Sequence, residues 1–299
     1  MLLWAVGLAL LAQILSYLGS GYVIQSLIAI TSRRISLARS TAITLAAASI
    51  GLVAAGLVGS SAAIYRWVSS KKDNPEGALL AGLLPGLLNN IVLVLASIFG
   101  VCHLLIVHEL TSAQAIGFGI TLALLVIVFA SVVLALRYRV KTTEWVVRAS
   151  ERWAGIRRKT FDEALVKKYV QDLFNAWDIL HAGGWRKPIL GAFLNVLFDM
   201  LTLYWLFFAA GHTVSLGTLL TGYGLPLLLG KVAFVIPGGV GVIESSMLAL
   251  YTGLGVPNNI SVVVVLGYRL LSFWIPTLLG FPLVFYFQRE ASRSTPASL

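Results

Sequence analysis

An acid and a base stand where apolar side chains are the rule. Glu244, in "FVIPGGVGVIESS", and Arg269, in "VVLGYRLLSFWIP", both lie inside long apolar runs. An ionised side chain at bilayer depth is costly, so it marks a ligand pathway or a partner for another charge. A guanidinium can grip a phosphate through two parallel hydrogen bonds, which fits Arg269 to a phosphate-bearing headgroup. A carboxylate such as Glu244 can orient amino or hydroxyl groups. The competing reading is a salt bridge from Arg269 to Glu244 or Asp199 that only joins helices. Asp199, in "NVLFDMLTLYW", has Asn195 one turn earlier on the same helical face. That pair is either a polar cavity wall or glue between helices. Asn89 and Asn90 interrupt a further apolar run and are candidates for the same cavity.

The residues before Glu244 explain how a carboxylate can be held there. Pro237 lacks an amide donor and breaks a helix. Gly238, Gly239 and Gly241 allow a tight turn and close backbone approach. A half-helix starting near Val240 would aim its N-terminal amides and their partial positive charge toward Glu244, with Ser245 and Ser246 following. A close-packed glycine face with Glu244 satisfied internally is the alternative.

The elements that must carry these residues are apolar and long. Of the 299 residues, 58% are hydrophobic and only 11% are charged, against roughly a quarter charged in soluble domains. Several uncharged runs exceed the ~20 residues that cross ~30 Å of hydrocarbon. The net charge of +10 sits mostly in short loops, as lipid contact and topology require, and no nucleic-acid partner is expected. One cysteine, Cys102, excludes an intrachain disulfide. The N-terminal apolar run reads as a retained first span rather than a cleaved signal.

Basic loops at 31–40, 66–72 and 137–187, and the C-terminus after Arg289, all favour the cytoplasmic side. Residues 41–65 then enter and leave on one side, and twenty-five residues are too few to cross twice as helices at 1.5 Å per residue. They are expected to form a re-entrant hairpin turning near Gly51 to Gly59. Residues 214–252, broken by glycines and prolines, form a second hairpin dipping from the other face, with Lys231 inside it. A shift of 182 residues lays Gly56, Val58 and Gly59 on Gly238, Val240 and Gly241, and Pro75 on Pro257. The expected fold is all-α: a single polytopic membrane domain over 1–299. It has a first repeat and linking span at 1–136, a cytoplasmic amphipathic loop at 137–187 and a second repeat at 188–299. Inverted repeats with broken helices at mid-membrane recur in transporters. The loop at 137–187 holds 12 of the 22 basic residues. Its stripe of Leu165, Tyr169, Leu173 and Trp177, with Trp145, Trp153 and Trp185 near it, suits a membrane surface or a solvated helical pair.

No phosphate loop of the G-x-x-x-x-G-K-[ST] type occurs, so ATP drive within this chain is not expected. Neither H-E-x-x-H nor a Ser–His–Asp spacing is present. Cys102, His103, His108 and Glu109 lie close together near a span end, and read as interfacial polar residues rather than a metal site. No cofactor is expected.

The stretch "PGGVGVIESSMLALYTGLGVP", followed by "GYRLLSFWIPTLLG", resembles the closing signature of the lysylphosphatidylglycerol synthase transmembrane-region family, also described as flippase-like. The resemblance maps the family's Pro-Gly-Gly and Glu onto Pro237, Gly238, Gly239, Gly241 and Glu244, and its late Arg onto Arg269. The first half departs: "AAGLVGSSAAIYR" has Ala55 where members often have Pro, and a small residue at the acidic position. The likeness is to stand-alone members without a synthase domain, some associated with hopanoid, glycolipid or isoprenoid pathways. It implies a transporter or flippase of a phosphate-bearing membrane lipid, multi-pass in the inner (plasma) membrane. A homodimer or an association with lipid-synthesis enzymes is the expected assembly. Other readings are an integral-membrane transferase acting on lipid headgroups and a scaffold acting through residues 137–187. The substrate-binding set expected is Glu244, Arg269, Asp199, Gly238, Gly239, Gly241, Ser245, Asn195 and Asn89.

Overall fold

A backbone in hydrocarbon must satisfy its own hydrogen bonds, and a helix does so segment by segment. The computed structural model is built that way. It describes residues 2–31, 34–53, 57–69, 75–107, 112–156, 161–232 and 237–294, and among these there are helices and no strands. In chain order they are α1 (Leu3–Ile30), α2 (Leu37–Val53), α3 (Leu57–Ser69), α4 (Pro75–Val107), α5 (Ser112–Arg137), α6 (Arg139–Ile156), α7 (Glu163–Gly183), α8 (Arg186–Ala209), α9 (Leu216–Val232), α10 (Val242–Gly253), α11 (Asn258–Arg269) and α12 (Ile275–Ser294). A single 3₁₀ turn, Pro237–Gly239, precedes α10, and a π turn, Leu270–Trp274, joins α11 to α12. Five stretches among the described residues are long and apolar enough to cross a membrane: Leu3–Ile30, Gly77–Val107, Ile116–Arg137, Arg186–Ala209 and Asn258–Ser292. The protein is an all-α polytopic membrane protein.

The longest packing seam runs between α1 and α8, which lie antiparallel. Leu2 N donates to Ala209 O at one end, and Gly191 meets Val23 toward the other. A Cβ on Gly19 would fall 2.7 Å from Asn195 N, so only glycine lets the two backbones come this near. Apart from α5, α6 and α7, the helices repeat in order around this seam. Moving the chain by 182 residues carries 3–30 to 185–212, beside α8, and 37–53 to 219–235, beside α9. It carries 57–69 to 239–251, beside α10, and 75–107 to 257–289, along α11 and α12. Packing partners repeat as well: α2 lies on α12 as α9 lies on α4, and α2 pairs with α3 as α9 pairs with α10.

The two short pairs return to opposite ends of the bundle. Ser60 Oγ donates to Ala47 O across α2 and α3 at 2.8 Å. The open end of this pair meets Ile28, Ala78, Phe287 and Ala291 in one apolar cluster that includes Trp67 and Val68. Arg39 closes the same end by reaching both oxygens of Glu290, at 2.9 and 2.8 Å, from α2 to α12. The second pair opens at the other end, where Tyr251 of α10 packs on Phe207 and Gly222. The turn of the first pair falls partly on residues 54–56, outside the described residues. So do Arg33, Lys71 and Lys72 of the expected basic loops.

The segment 137–187 folds as the antiparallel pair α6 and α7. Arg139 and Asp178 join them through two bonds of 2.5 and 2.6 Å. The expected stripe divides. Leu165 and Tyr169 are exposed, while Trp177, with Ala176 and Leu180, packs on Val23 and Leu27 of α1 and Leu80 and Leu84 of α4. α7 thus sits at the end where Arg39 meets Glu290.

Candidate functional site: a buried ion pair at a helix break

The 3₁₀ turn and α10 together build a socket. Gly238, Gly239 and Gly241 adopt φ of 65°, 62° and 86°, values that L side chains rarely take. The turn brings the Gly238 carbonyl and the Gly241 amide to the same side. α10 begins at Val242, two residues later than the expected start, and Glu244 is its third residue. Glu244 Oε2 accepts from Gly241 N at 2.6 Å, which pairs the carboxylate with a free helix N-terminal amide. The other oxygen, Oε1, accepts from Arg269 Nε at 2.5 Å.

Arg269 is the last residue of α11, just before the π turn. π turns recur at functional sites because they redirect side chains and free backbone carbonyls. Arg269 Nη2 donates to Gly238 O at 3.1 Å, and the guanidinium stacks 4.3 Å from the Phe273 ring centroid. The Arg269 and Glu244 side chains are 5% and 15% exposed. Among the described residues Nη1 of Arg269 has no hydrogen-bond partner. Beside the pair, Ser245 Oγ donates to Gly241 O at 2.5 Å, and Ser245, Val240 and Gly241 face outward. The pair is buried behind, with an open front on the helix N-terminus.

Asp199 forms a second centre that the ion pair does not enter. Its Oδ2 accepts from Tyr268 OH at 2.7 Å and from Tyr223 OH at 2.9 Å. Oδ1 accepts from Gln13 Nε2 at 3.1 Å. The carboxylate therefore joins α8 to α1, α9 and α11 at one point. Tyr268 is the neighbour of Arg269, so α11 carries both centres. Asn195 faces α1: its Nδ2 donates to Ser16 O and Ser16 Oγ at 3.0 and 2.9 Å. Asn89 is half-buried on α4, its Oδ1 buried and unbonded among the described residues, and its neighbour Asn90 accepts from Lys231 Nζ.

The structure thus brings Glu244, Arg269, Gly238 and Gly241 together, with Gly239 and Ser245 in the same turn. Asp199 stands apart within the bundle. Asn195 is taken up by the α1–α8 seam, and Asn89 lies on α4. Sequence reasoning missed Gln13, Tyr17, Tyr223 and Tyr268. Gln13 and Tyr17 are four residues apart on one face of the first apolar run, which is a usable signal; a lone tyrosine in an apolar run gives none. Of the weak cluster near Cys102, His108 and Glu109 lie outside the described residues. Among the described residues no three His, Cys, Asp or Glu side chains converge as metal ligands would.

Antiparallel halves around a central seam, with a charged pair at a helix break in one half, define a polytopic helical membrane protein. The chain belongs to the family described as Lysylphosphatidylglycerol synthase TM region, which matches residues 1–280. It is similar to a UPF0104 membrane protein of Methanocaldococcus jannaschii, 26% identical over 137 residues, 44% of this chain and 40% of that one. It is also similar to a UPF0104 membrane protein of Pyrococcus horikoshii, 37% identical over 82 residues, 27% of this chain and 24% of the relative. A third, from Methanothermobacter thermautotrophicus, is 29% identical over 101 residues, 34% of this chain and 30% of the relative. The matched stretches span less than half the length of each of these relatives.

Proposed function

We propose that this protein moves a polar-headgroup lipid between leaflets, with α2–α3 and α9–α10 acting as re-entrant hairpins from opposite faces. The observation that carries the reading is the buried Glu244–Arg269 pair beside a glycine turn. A pair serving only to join helices has no need of an open front on a helix N-terminus. Here a phosphate approaching past Gly241 and Ser245 meets the free Nη1 of Arg269 and the first amides of α10. It competes with Glu244 for the guanidinium, and Glu244 is released to take an amino or hydroxyl group of the same headgroup. The acyl or isoprenoid tail stays in lipid. The family's name, which refers to a phospholipid synthase, is in keeping with a lipid cargo.

The test is the leaflet distribution of labelled phospholipids in vesicles containing Glu244→Gln or Arg269→Ala protein. Each variant is expected to slow exchange by about tenfold or more, the scale of one charge-assisted hydrogen bond. Undiminished exchange in both rejects the site.

A further inference from the structure

The open end of the first short pair holds a pocket of about 220 Å³ between α1, α2 and α3. Its lining divides by chemistry. Ile28, Ile43 and Trp67 are buried and form an apolar floor. Arg34, Ser36 and Arg39 form the polar side. Two guanidiniums lining one small pocket raise the potential there and attract an anion.

Neither guanidinium is used up by the fold. Arg34 is exposed and makes no hydrogen bond or ion pair among the described residues. Arg39 reaches Glu290 through Nη2 alone, so Nε and Nη1 have no hydrogen-bond partner among the described residues. The guanidinium lies 5.6 Å from the Phe287 ring centroid, which helps to hold its plane. Arg34, Arg39 and Glu290 together leave one positive charge. α2 also starts here: Ser36 Oγ accepts from Arg39 N at 3.2 Å, and the partial positive charge of a helix N-terminus adds to the attraction.

Depth and floor narrow the ligand. The apolar stretches Leu3–Ile30 and Asn258–Ser292 both end at this pocket, one beside Ile28 and the other at Glu290. The end of a span is the level of lipid headgroups, where tryptophan collects. A simple inorganic anion would use only the polar side. An anion that carries carbon uses both sides. The guanidinium fork matches phosphate oxygens two at a time.

We infer that this pocket binds a phosphate diester, its oxygens on Arg34 and Arg39 and its first carbons on Ile28 and Ile43. The ester is the headgroup of an anionic lipid or the same group free in solution. The pocket shares no residue with the Glu244–Arg269 pair, so the inference goes beyond the transport reading and does not rest on it.

The experiment uses the full chain in phosphatidylcholine nanodiscs. One probe is phosphatidylglycerol with a diazirine near the glycerol end of an acyl chain, and the control is phosphatidylcholine with the same diazirine. After photolysis, labelled peptides are mapped by mass spectrometry. The anionic probe is expected to label the start of α2 and the end of α3 about tenfold more than the control, the scale of one charge-assisted hydrogen bond. Arg34→Gln should bring that ratio close to one. Arg34 has no bond within the fold to lose, so the melting temperature of this variant in phosphatidylcholine alone should be unchanged. Ile35→Trp keeps every charge, fills the pocket from a lining position and should also remove the preference. A preference that survives either substitution is diffuse attraction to basic loops and overturns the proposal. Excess glycerophosphoglycerol, the probe's headgroup without its chains, decides the source. Labelling that it displaces extends the pocket to soluble esters, and labelling that persists assigns it to lipids alone. Equal labelling by both probes, with no calorimetric binding of glycerophosphoglycerol, overturns the proposal whatever the lipid-exchange assay shows.

Discussion

Glu244 has each carboxylate oxygen committed to a different group, Gly241 N and Arg269 Nε. Removing the arginine leaves a carboxylate that is 15% exposed with no cation beside it. Breaking a buried pair from one side costs about 3–5 kcal/mol, whereas replacing both partners by apolar or neutral groups is often nearly neutral. Arg269→Ala is therefore expected to lower the unfolding midpoint strongly, and Glu244→Gln with Arg269→Met to restore most of it without restoring lipid exchange. Thermal unfolding in detergent read beside the exchange assay separates the two roles. Gly238 offers a second residue-level test. A Cβ there would fall 2.3 Å from Phe273 Cζ, displacing the ring under the guanidinium, on top of about 1–2 kcal/mol for a left-handed backbone. Gly241→Ala has φ of 86° and open space around it, so it bears the conformational cost alone. Gly238→Ala should be clearly the less stable of the two and the poorer in exchange. The charged pair and its glycine turn were legible in the sequence because Pro, Gly, Glu and Arg are conspicuous in apolar runs. The tyrosines around Asp199 were not, since their hydroxyls matter only once three helices meet.

At the level of elements, α6 and α7 make a test by pH. The hydrogen bond from Arg139 holds the Asp178 carboxyl below the ordinary carboxylate range. A depressed folded-state value means that the contribution of the pair is in place above the ordinary aspartate value and is lost as pH falls through the depressed one. Amide protection in α6, taken relative to the intrinsic exchange rate at each pH, is expected to fall on acidification through that range, and Asp178→Asn to remove that change. The pair is exposed, so added salt should weaken it. Helix existence was readable from apolar length and breaks, and the expected stretches 41–65 and 214–252 each resolve into two short helices. How much of the α7 stripe is buried was not readable: Trp177 docks while Leu165 and Tyr169 stay exposed, and only the partners α1 and α4 decide which part is covered. The π turn after Arg269 also left no mark in the sequence, because a π turn follows from tertiary strain rather than from residue type.

For the whole molecule, the contacts place α2's start, α3's end, α7 and α12's end together, and α8's end with α1's start at the opposite end. With Cys102 replaced by Ala, single cysteines at Ser36, Lys141 and Ser292 are expected to react with an impermeant thiol reagent from one face of the membrane only. Cysteines at Thr213 and Asn258 should react from the other face only. Any exchange of members between the two groups removes the antiparallel arrangement on which the transport reading stands. The faint 182-residue echo in the sequence becomes a shared order of helices in the structure, with boundaries that agree to within five residues, because close packing constrains lengths and small residues far more than identities. α5 links the two halves in sequence, yet it packs mainly on α4 and, at its end, on α6, with its apolar flanks bare. Phe118, Leu122 and Leu125 of this strap share one apolar cluster with Val101 and Leu104 of α4 and with Leu225 of α9 and Leu250 of α10, so it is fastened to both of the halves it joins.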